Sequence, residues 1–565
     1  MLYAPLQLNR PKLRVGVMLD GFEVPAWVAD VLSEIAASTI AELTLAVVND
    51  SPAPAGPQRS RLQRLLRGEA RLNSVLYYRY VGLDNRRHPQ FGAPFAPVDV
   101  AHLFPARIPV RPIKTRFVDR FSPEDVAAIK NHDLDIMLRF GFNIIKGDIL
   151  STARFGVWSY HHDDNDEYRG GPAQFWEIYE GNPVSGVILQ VLSEKLDGGR
   201  VIYRSYGATA SNLWLSQNKM LTYLKASSFV QRCLRHVYCE GELPTETAGR
   251  PYGKPIYRTP TNRQMLAFAA KAIAGGLKNR IRDRLQSEKW FIGYRRYVET
   301  GTAVPPTDGF AFLGPPEGRF FADPHVITHD GRDFIFFEDY AFRDGKGVIS
   351  YVEIDAQGRA TAPRLAFEQP YHLSYPFLFE WNGEVYMVPE TSQTNSVQLF
   401  RASRFPDQWE FVATLIEGFQ LVDATLFEHG GRWFLFANAS ERGGSTWDEL
   451  FLFVAETPLG PWRPHPKNPV KSDARSARPA GNLFRRAGSI IRPSQDCTNG
   501  YGSGIVFSEV EVLTDTDYRE RQIGRIDASW TPGISGTHTY SSNAALEAID
   551  ALKYSFRSRR PPRAK

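Results

Sequence analysis

The chain has 565 residues, which is too long for a single hydrophobic core and predicts two or three domains. Hydrophobic residues make up 43% and the formal net charge is only +5, so the composition is that of a globular protein and does not indicate a nucleic-acid-binding surface. The three cysteines, Cys233, Cys239 and Cys497, form neither a disulfide framework nor a CxxC zinc motif.

Sparse cysteines favour a reducing compartment, and the first residues lack the apolar stretch of a secretory signal. We therefore expect a cytoplasmic protein. No apolar run reaches the length of a membrane span, so we expect no transmembrane segment.

The first part of the chain alternates buried-strand patterns with helix patterns. Compact apolar runs at 14–21 and 43–50 flank a helical stretch from about 25 to 38. This β-α-β order predicts a parallel sheet with helices on both faces. Residues 51 to about 115 are rich in Pro, Arg and Gly, and we interpret part of them as an insertion loop.

Two further strands precede the segment that carries the candidate chemistry. Residues 134–142 read as a buried strand, and residues 156–162 as a short strand that runs into a polar loop with two histidines. Ligands of open α/β sheets bind at the carboxyl ends of the strands, so a His from this loop and an Asp from a later one can converge there. A neutral His can act as a general base beside a carboxylate that orients it.

This segment resembles the folate-dependent formyltransferases, a family that includes methionyl-tRNA and sugar formyltransferases. The matching elements are SYH (159–161), YRGGP (168–172), FWEIYEG (175–181), SGVIL (185–189) and LDGG (196–199). The resemblance covers about residues 12–205 and is most specific from 156 to 202. It implies a Rossmann-like α/β fold and 10-formyltetrahydrofolate as the cosubstrate.

The resemblance also implies catalytic roles for three residues. His161 would carry protons and charge while an amine attacks the formyl carbon, and Asp197 would organise a water molecule and proton transfer. The family has an Asn that donates a hydrogen bond to the oxyanion, and this chain has Ser159 in its place. The loss of one such donor costs about 100- to 1000-fold in rate. His162 and Asn165 are candidate substitutes.

The same loop supplies further candidates for binding the folate or its acceptor. They are His162, Asn165, Arg169, Gly170 and Gly171. The acidic character of the loop suits a cationic amine acceptor. We predict no metal site, because the adjacent side chains of 161–163 rarely converge on one ion without further ligands.

A helix pattern at 263–289 becomes strongly basic toward its end. We interpret it as a linker helix between domains. The alternative is a peripheral membrane contact, because basic amphipathic helices bind anionic headgroups.

From about residue 290 the helical periodicity disappears and a repeat of roughly 50 residues begins. Each repeat joins two apolar strands by a Gly-containing turn. The repeats are 321–339, 374–390, 422–438 and 478–496, and a fifth unit around 536–543 would close the ring. Repeats of this size predict an all-β, five-bladed propeller. The predicted domains are an α/β domain (12–255), a helical linker (256–289), the propeller (290–556) and a basic tail (557–565).

The repeats resemble the five-bladed propellers of glycoside hydrolases. This resemblance implies an axial site made of carboxylates and of groups that bind hydroxyls or phosphates. The candidates are Asp323, Glu390, Asp423, Arg478, Arg492, Gln495, Asp496 and His538. The family's general acid is a Glu in a later blade, whereas the corresponding stretch here, 478–482, has none, which argues against hydrolysis. Alternatively, Asp323 and Asp423 cap strand ends.

These features together predict an enzyme that transfers a formyl group from 10-formyltetrahydrofolate to the amino group of an amino sugar or glycoconjugate precursor. A following sugar-active propeller and a mild charge favour a sugar over a transfer RNA as acceptor. Two alternatives stay open. One is a glycosidase-like or glycosyltransferase-like propeller, and the other is a glycan-binding protein whose formyltransferase domain has decayed.

Overall fold

The structure is a computed structural model that describes residues 1–51, 72–115, 117–195, 198–210, 213–245, 252–254 and 256–556. The chain divides into two compact units. The α/β unit comprises residues 6–273 and 441–444, and the propeller unit comprises residues 1–5, 274–440 and the described residues from 445 onward. The predicted basic tail at 557–565 lies outside the described residues.

The strands before the propeller are β1 (Leu13–Leu19), β2 (Glu23–Pro25), β3 (Ala41–Asn49), β4 (Pro97–Asp99), β5 (Arg107–Val110), β6 (Ile113–Lys114), β7 (Val118–Arg120), β8 (Ile136–Arg139), β9 (Ile144–Lys146), β10 (Val157–His161), β11 (Val184–Val191) and β12 (Arg200–Ala208). The α-helices are α1 (Ala26–Ala36), α2 (Val75–Arg87), α3 (Pro123–Lys130), α4 (Trp176–Glu180), α5 (Leu215–Ala226), α6 (Phe229–Glu240) and α7 (Asn262–Leu285). Short 3-10 helices lie at Leu72–Ser74, Pro89–Phe95, Ala101–Leu103, Asp148–Ser151 and Ser392–Thr394. Each helix in the described part of the chain is too short or too polar to span a membrane.

A seven-stranded sheet in the order β12-β11-β10-β8-β1-β3-β5 forms the centre of the α/β unit. Strands β10, β8, β1, β3 and β5 run parallel, while β11 and β12 extend the sheet antiparallel at one edge. Side chains of β1 alternate between the two faces: Val15 and Val17 pack with α1 and α6, and Met18 packs with Ile129 of α3. Helices therefore cover both faces, as the β-α-β pattern predicts.

The segment that we interpreted in part as an insertion loop is more regular than its composition indicates. Residues 52–71 lie outside the description, but α2 and β5 follow, and β5 pairs in parallel with β3. Asp84 of α2 is buried and accepts hydrogen bonds from the backbone N–H and the hydroxyl of Ser216, at 2.8 and 2.5 Å. This tertiary anchoring overrides the weak local pattern.

The strands of the propeller unit are β13 (Gln286–Arg296), β14 (Ala311–Leu313), β15 (Arg319–His329), β16 (Arg332–Ala341), β17 (Lys346–Ile354), β18 (Arg364–Phe367), β19 (Ser374–Trp381), β20 (Glu384–Glu390), β21 (Ser396–Arg404), β22 (Gln408–Glu417), β23 (Leu421–His429), β24 (Arg432–Ala439), β25 (Glu449–Ala455), β26 (Arg463–Pro464), β27 (Lys471–Ser472), β28 (Phe484–Arg486), β29 (Ser489–Gln495), β30 (Gly504–Leu513), β31 (Tyr518–Asp527), β32 (Tyr540–Ser542) and β33 (Leu546–Phe556).

Within the described residues these strands form five antiparallel blades. Four blades follow the sequence repeats, in the orders β15-β16-β17-β18, β19-β20-β21-β22, β23-β24-β25-β26 with β27 beside β25, and β28-β29-β30-β31. The fifth blade has the order β14-β13-β33-β32 and so joins the first propeller strands to the last. The predicted α/β fold followed by a five-bladed propeller is confirmed.

A buried carboxylate holds the closing blade together. β13 and β33 pair from Gln286–Phe556 to Arg296–Leu546. Glu547 of β33 is fully buried and accepts hydrogen bonds from Arg295 Nε at 2.5 Å, from Arg486 Nη1 at 2.6 Å and from the Tyr540 hydroxyl at 2.7 Å. Because Arg486 belongs to β28, this cluster also links the neighbouring blade.

Substitution of Glu547 by Ala should strongly destabilise the propeller unit. It would leave Arg295 and Arg486 buried without their carboxylate, and breaking a buried ion pair costs about 3–5 kcal/mol. The change in the free energy of unfolding can be measured by urea titration followed by tryptophan fluorescence. The control Glu456→Ala removes an exposed ion pair with Arg432 and should leave the transition unchanged. Equal stability of both variants would contradict this prediction.

Candidate functional site

A cavity of about 120 Å³ opens at the carboxyl ends of β8 and β10. Ser159 and His161, two of the predicted catalytic residues, both line it. The other lining residues are Arg139, Ile144, Ile145, Lys146, Tyr160, Gln190, Leu192, Ser193, Lys195 and Gly199. This is the edge at which open α/β sheets bind ligands.

Ser159 is buried, and its hydroxyl oxygen accepts a hydrogen bond from Arg139. Arg139 Nη1 lies 3.0 Å from Ser159 Oγ, while Nη2 donates to the backbone oxygens of Phe142 and Asn143 at 3.0 and 2.6 Å. Burial lowers the pKa of Arg139. The sequence analysis missed this residue, although an arginine at the end of the apolar run 134–142 is a detectable signal.

His161 is half-buried, and its Nε2 lies 3.1 Å from the backbone oxygen of Tyr168. Only a protonated Nε2 can make this hydrogen bond, so in a neutral ring Nδ1 is the acceptor. Nδ1 has no hydrogen-bond partner among the described residues and can take up a proton. Asp197, the predicted carboxylate of the site, lies outside the described residues.

His162 does not line the cavity, contrary to its predicted role in binding or oxyanion stabilisation. Its ring stacks on Tyr223 with a centroid distance of 3.6 Å and meets Trp27 edge-on. Burial lowers the pKa of His162 well below its ordinary value, so the ring is neutral. The cause is the alternation of side chains along a strand, which directs His161 and its neighbour to opposite faces.

The remaining predicted binding residues shape the loop and do not line the cavity. Asn165 accepts from Arg204 Nη2 at 3.2 Å, and its backbone oxygen accepts from Arg169 Nε at 2.7 Å. Gly170 has φ of 105°, and a Cβ there would lie 2.2 Å from the backbone oxygen of Tyr257. Gly171 N donates to that same oxygen at 3.2 Å. The YRGGP motif therefore acts structurally here.

Two buried carboxyl groups lie next to this loop. Asp163 accepts from Gln174 N at 2.7 Å, and Glu177 is fully buried. Burial raises the pKa of both groups, and the charge of Asp163 raises that of Glu177 further. Burial and mutual repulsion therefore both favour the neutral forms of this pair. The sequence did not predict it, because Asp163 is one of several acids in a polar loop.

The second candidate site is in the propeller unit, where three blades present equivalent residues. Asp323, Tyr375 and Asp423 lie at bulges in the first strands of their blades, with φ of 52°, 42° and 54°. Left-handed backbone at three non-Gly residues is uncommon and marks sites of function or strain. The backbone N–H of Tyr375 donates to Asp323 Oδ2 at 3.3 Å, so neighbouring blades meet here.

Asp423 is paired with an arginine and lies beside the carboxyl group of Glu390. Arg478 donates from Nε and Nη2 to its two oxygens at 2.5 and 3.3 Å, and Gln495 Nε2 donates at 3.0 Å. Glu390 Oε2 accepts from the backbone N–H of Asp423 at 3.4 Å. Burial, with the charge of Asp423, raises the pKa of Glu390 to about 8. Arg478 thus pairs with Asp423, while burial favours the neutral form of the neighbouring Glu390.

Asp323 accepts from the Thr539 hydroxyl at 2.7 Å, and His538 Nδ1 lies 3.6 Å away. Burial raises the pKa of Asp323 to about 6. His538 pairs directly with Asp550, and ligand atoms of these two residues and Asp323 lie within 4.8 Å of one another. Asp550 already accepts from two backbone N–H groups at 2.7 and 3.1 Å, so its contacts require no ion. The lack of a resident metal stays a prediction.

Tyr501 lies next to this cluster and is 43% exposed. Its ring meets His538 edge-on at 4.5 Å and lies 5.2 Å from the Arg478 guanidinium. The flanking Gly500 and Gly502 have φ of 102° and 78°. An amphipathic aromatic ring beside buried carboxylates can pack on a sugar while the carboxylates accept its hydroxyl groups. The sequence analysis missed Tyr501, although its glycine-flanked position is a readable signal.

Two predicted axial residues have other partners. Arg492 donates from Nε and Nη2 to Glu520 within its own blade, at 2.6 and 2.7 Å. Asp496 accepts from the Thr498 hydroxyl at 2.6 Å and faces Arg525 at 3.3 Å. Neither belongs to the cluster around Asp423, because these local contacts already satisfy both charges.

Comparison with known proteins relates the two units to different groups. Residues 313–530 match the family described as glucosamine inositolphosphorylceramide transferase 1, N-terminal. The protein of that name from Oryza sativa subsp. japonica is 37% identical over 224 residues, which cover 39% of this chain and 29% of the relative. A methionyl-tRNA formyltransferase of Bacillus mycoides is 32% identical over 93 residues, covering 16% of this chain and 28% of the relative. The chain thus spans less than a third of each relative.

Among solved structures, a family 117 glycoside hydrolase of Zobellia galactanivorans is similar with a TM-score of 0.31 and 13% identity, over 46% of this chain and 90% of that one. The predicted resemblance to formyltransferases is confirmed for a segment of the chain. The similarity to the glucosamine inositolphosphorylceramide transferases was not predicted from the sequence.

The pH dependence of stability should change in Glu390→Gln. The pKa of Glu390 is raised to about 8 in the folded protein, which therefore keeps a proton that the unfolded chain releases. Its contribution to stability falls as the pH rises from the unfolded to the folded pKa. Gln resembles the protonated form, so the variant should lose less stability than the wild type between about pH 5 and pH 8. Urea unfolding measures this trend; an offset that is constant with pH would refute it.

Proposed function

We propose that this protein is a transferase for glycoconjugates that carry an amino sugar, and that the propeller unit binds the glycan. One observation carries the proposal. The segment that is similar to transferases named for glucosamine, 313–530, contains Asp323, Asp423, Arg478 and Tyr501 of the axial site. The same residues have the chemistry for holding a sugar.

The charge of the axial site favours an amino sugar over a neutral one. Glu338 of β16 is close enough to this cluster for the charges of Asp323 and Glu390 to raise its pKa. Asp323 and Glu338 are buried and Glu390 is largely buried, and burial raises the pKa of each carboxyl group. An ammonium group that approaches them favours their ionised forms and forms ion pairs with them. The amino group of a glucosamine residue is such a cation, and the ring of Tyr501 can pack on its sugar.

Binding and transfer fit this site better than hydrolysis does. A glycosidase uses two carboxyl groups on opposite sides of the scissile bond. Here Asp423 is engaged by Arg478 and Gln495, and Glu390 lies directly beside it. These contacts support a recognition role for the pair.

Isothermal titration with a chitosan oligosaccharide, which is rich in glucosamine, tests glycan binding. Asp323→Asn and Tyr501→Ala should each weaken binding by about tenfold or more, because a charged hydrogen bond or a stacking ring is lost. Asp330→Asn is a matched control, since Asp330 also has positive φ, 49°, but is exposed in a hairpin turn. No binding to wild type, or equal effects of Asp323→Asn and the control, would overturn the proposal.

A second candidate function is formyl transfer from 10-formyltetrahydrofolate to the amino group of such a sugar. The cavity that brings Ser159 and His161 together favours it. Gln190 also lines this cavity, and its buried side-chain oxygen has no hydrogen-bond partner within the described residues. It would accept a hydrogen bond from an N–H group of the folate.

In this reaction His161 Nδ1 would take the proton of the amine as the nitrogen attacks the formyl carbon. The bond from that carbon to the folate nitrogen then breaks, and the folate nitrogen gains a proton. The products are an N-formyl sugar and tetrahydrofolate. As a donor, the Ser159 hydroxyl makes only a long 3.4 Å contact within the described residues, to the backbone oxygen of Tyr160, so it can turn to donate to the oxyanion while its oxygen accepts from Arg139.

Release of tetrahydrofolate from 10-formyltetrahydrofolate in the presence of glucosamine or a chitosan oligosaccharide tests formyl transfer. His161→Ala should lower the rate by about 100- to 10,000-fold, as expected for loss of a general base. His102→Ala, an exposed residue of the same unit, should have wild-type activity. If the wild-type protein binds the glycan but transfers no formyl group, the formyl-transfer proposal is overturned and the glycan-binding proposal stands.

A further inference from the structure

The cavity at the ends of β8 and β10 is cationic. Arg139, Lys146 and Lys195 line it, and none of its described lining residues is Asp or Glu. The ammonium groups of Lys146 and Lys195 have no hydrogen bond or ion pair within the described part of the chain. Three cationic residues thus line one small cavity.

Arg139 has neutral partners only. Its contacts are with the Ser159 hydroxyl and with the backbone oxygens of Phe142 and Asn143. No carboxylate of the described residues lies within 4.0 Å of its guanidinium group. The charges of Asp20 and Asp119 act on Arg139 without a direct ion pair in the described part of the chain, and burial still lowers the pKa of Arg139. An anion in direct contact would therefore stabilise the guanidinium group.

Gln190 adds an acceptor to the same cavity. Its side chain is 6% exposed, and its Oε1 has no partner among the described residues. A Cβ at Gly199 would lie 2.9 Å from this oxygen and 2.4 Å from the backbone oxygen of Val191, so the chain approaches closely here. A ligand that satisfies this site therefore carries an anionic oxygen and an N–H or O–H donor.

We propose that this cavity binds an anionic group, a carboxylate or a phosphate, through Arg139, Lys146 and Lys195. Gln190 accepts a hydrogen bond from the same ligand. The inference deepens the proposed formyl transfer, with which it shares the cavity, but it stands on the cations alone. The anion has two chemical sources: the carboxylates of a folate, or the phosphates of a nucleotide-linked sugar.

Isothermal titration of the full chain tests this with three probes: inorganic pyrophosphate, UDP-N-acetylglucosamine and 5-formyltetrahydrofolate. At least one should bind, and binding should weaken with added salt. Arg139→Gln and Lys146→Gln should each weaken it about tenfold or more, as loss of a hydrogen bond to a charged group does, and Arg139→Lys should recover part of the loss. Lys130→Gln changes the same charge at an exposed position of α3 and should have no effect.

The outcomes separate this inference from the formyl-transfer proposal. Binding of the nucleotide sugar without the folate supports the anion site and overturns formyl transfer. Folate binding that is insensitive to Arg139→Gln and Lys146→Gln overturns the anion site and leaves formyl transfer standing. Failure of all three probes to bind overturns the anion site. Because the Lys146 side chain is partly exposed, Lys146→Gln should fold and can still test the anion site if Arg139→Gln impairs folding.

Discussion

The pairing of β13 with β33 is the contact on which the propeller unit depends, because it joins the first strand of the ring to the last. The same strand β33 supplies Asp550, which accepts hydrogen bonds from the backbone of His538 and Thr539. Those residues in turn contact Asp323 of the next blade. Closure of the ring and assembly of the axial site are therefore one physical event, and a chain that fails to close would also lose the environment of Asp323.

The sequence predicted the features that depend on residues close together in the chain. The repeats from 321 to 496 were readable because each blade carries its own strands and Gly turn, and Asp323 and Asp423 stood out as acids at equivalent positions. The fifth blade was only partly predictable. Its strand β13 lies some 250 residues before its partner, and nothing in a short window reveals such a distant pairing.

The sequence did not show which side chains of the motif point toward the cavity. Ser159 and His161 were identified from their motif, whereas His162 was assigned to the same site although it lies in the core. Successive side chains of a strand point to opposite faces of the sheet. A motif at the junction of a strand and a loop does not show at which residue this alternation ends. Arg139 was missed for a related reason, since its partners are backbone oxygens that no pattern of residue types encodes.

Three arginines of the two units differ in how their charges are compensated. Arg486 and Arg478 each face a carboxylate, Glu547 and Asp423, so their charges are compensated within the protein. Arg139 donates its hydrogen bonds to neutral oxygens, is near the charges of Asp20 and Asp119 without a direct ion pair in the described residues, and borders the cavity. Removing one partner of a buried ion pair destabilises the fold, whereas a charge without a direct ionic partner favours the binding of an external anion. On this argument the cavity of the α/β unit suits the anionic ligand proposed for it, while the carboxyl groups of the axial site suit a ligand that carries a cation.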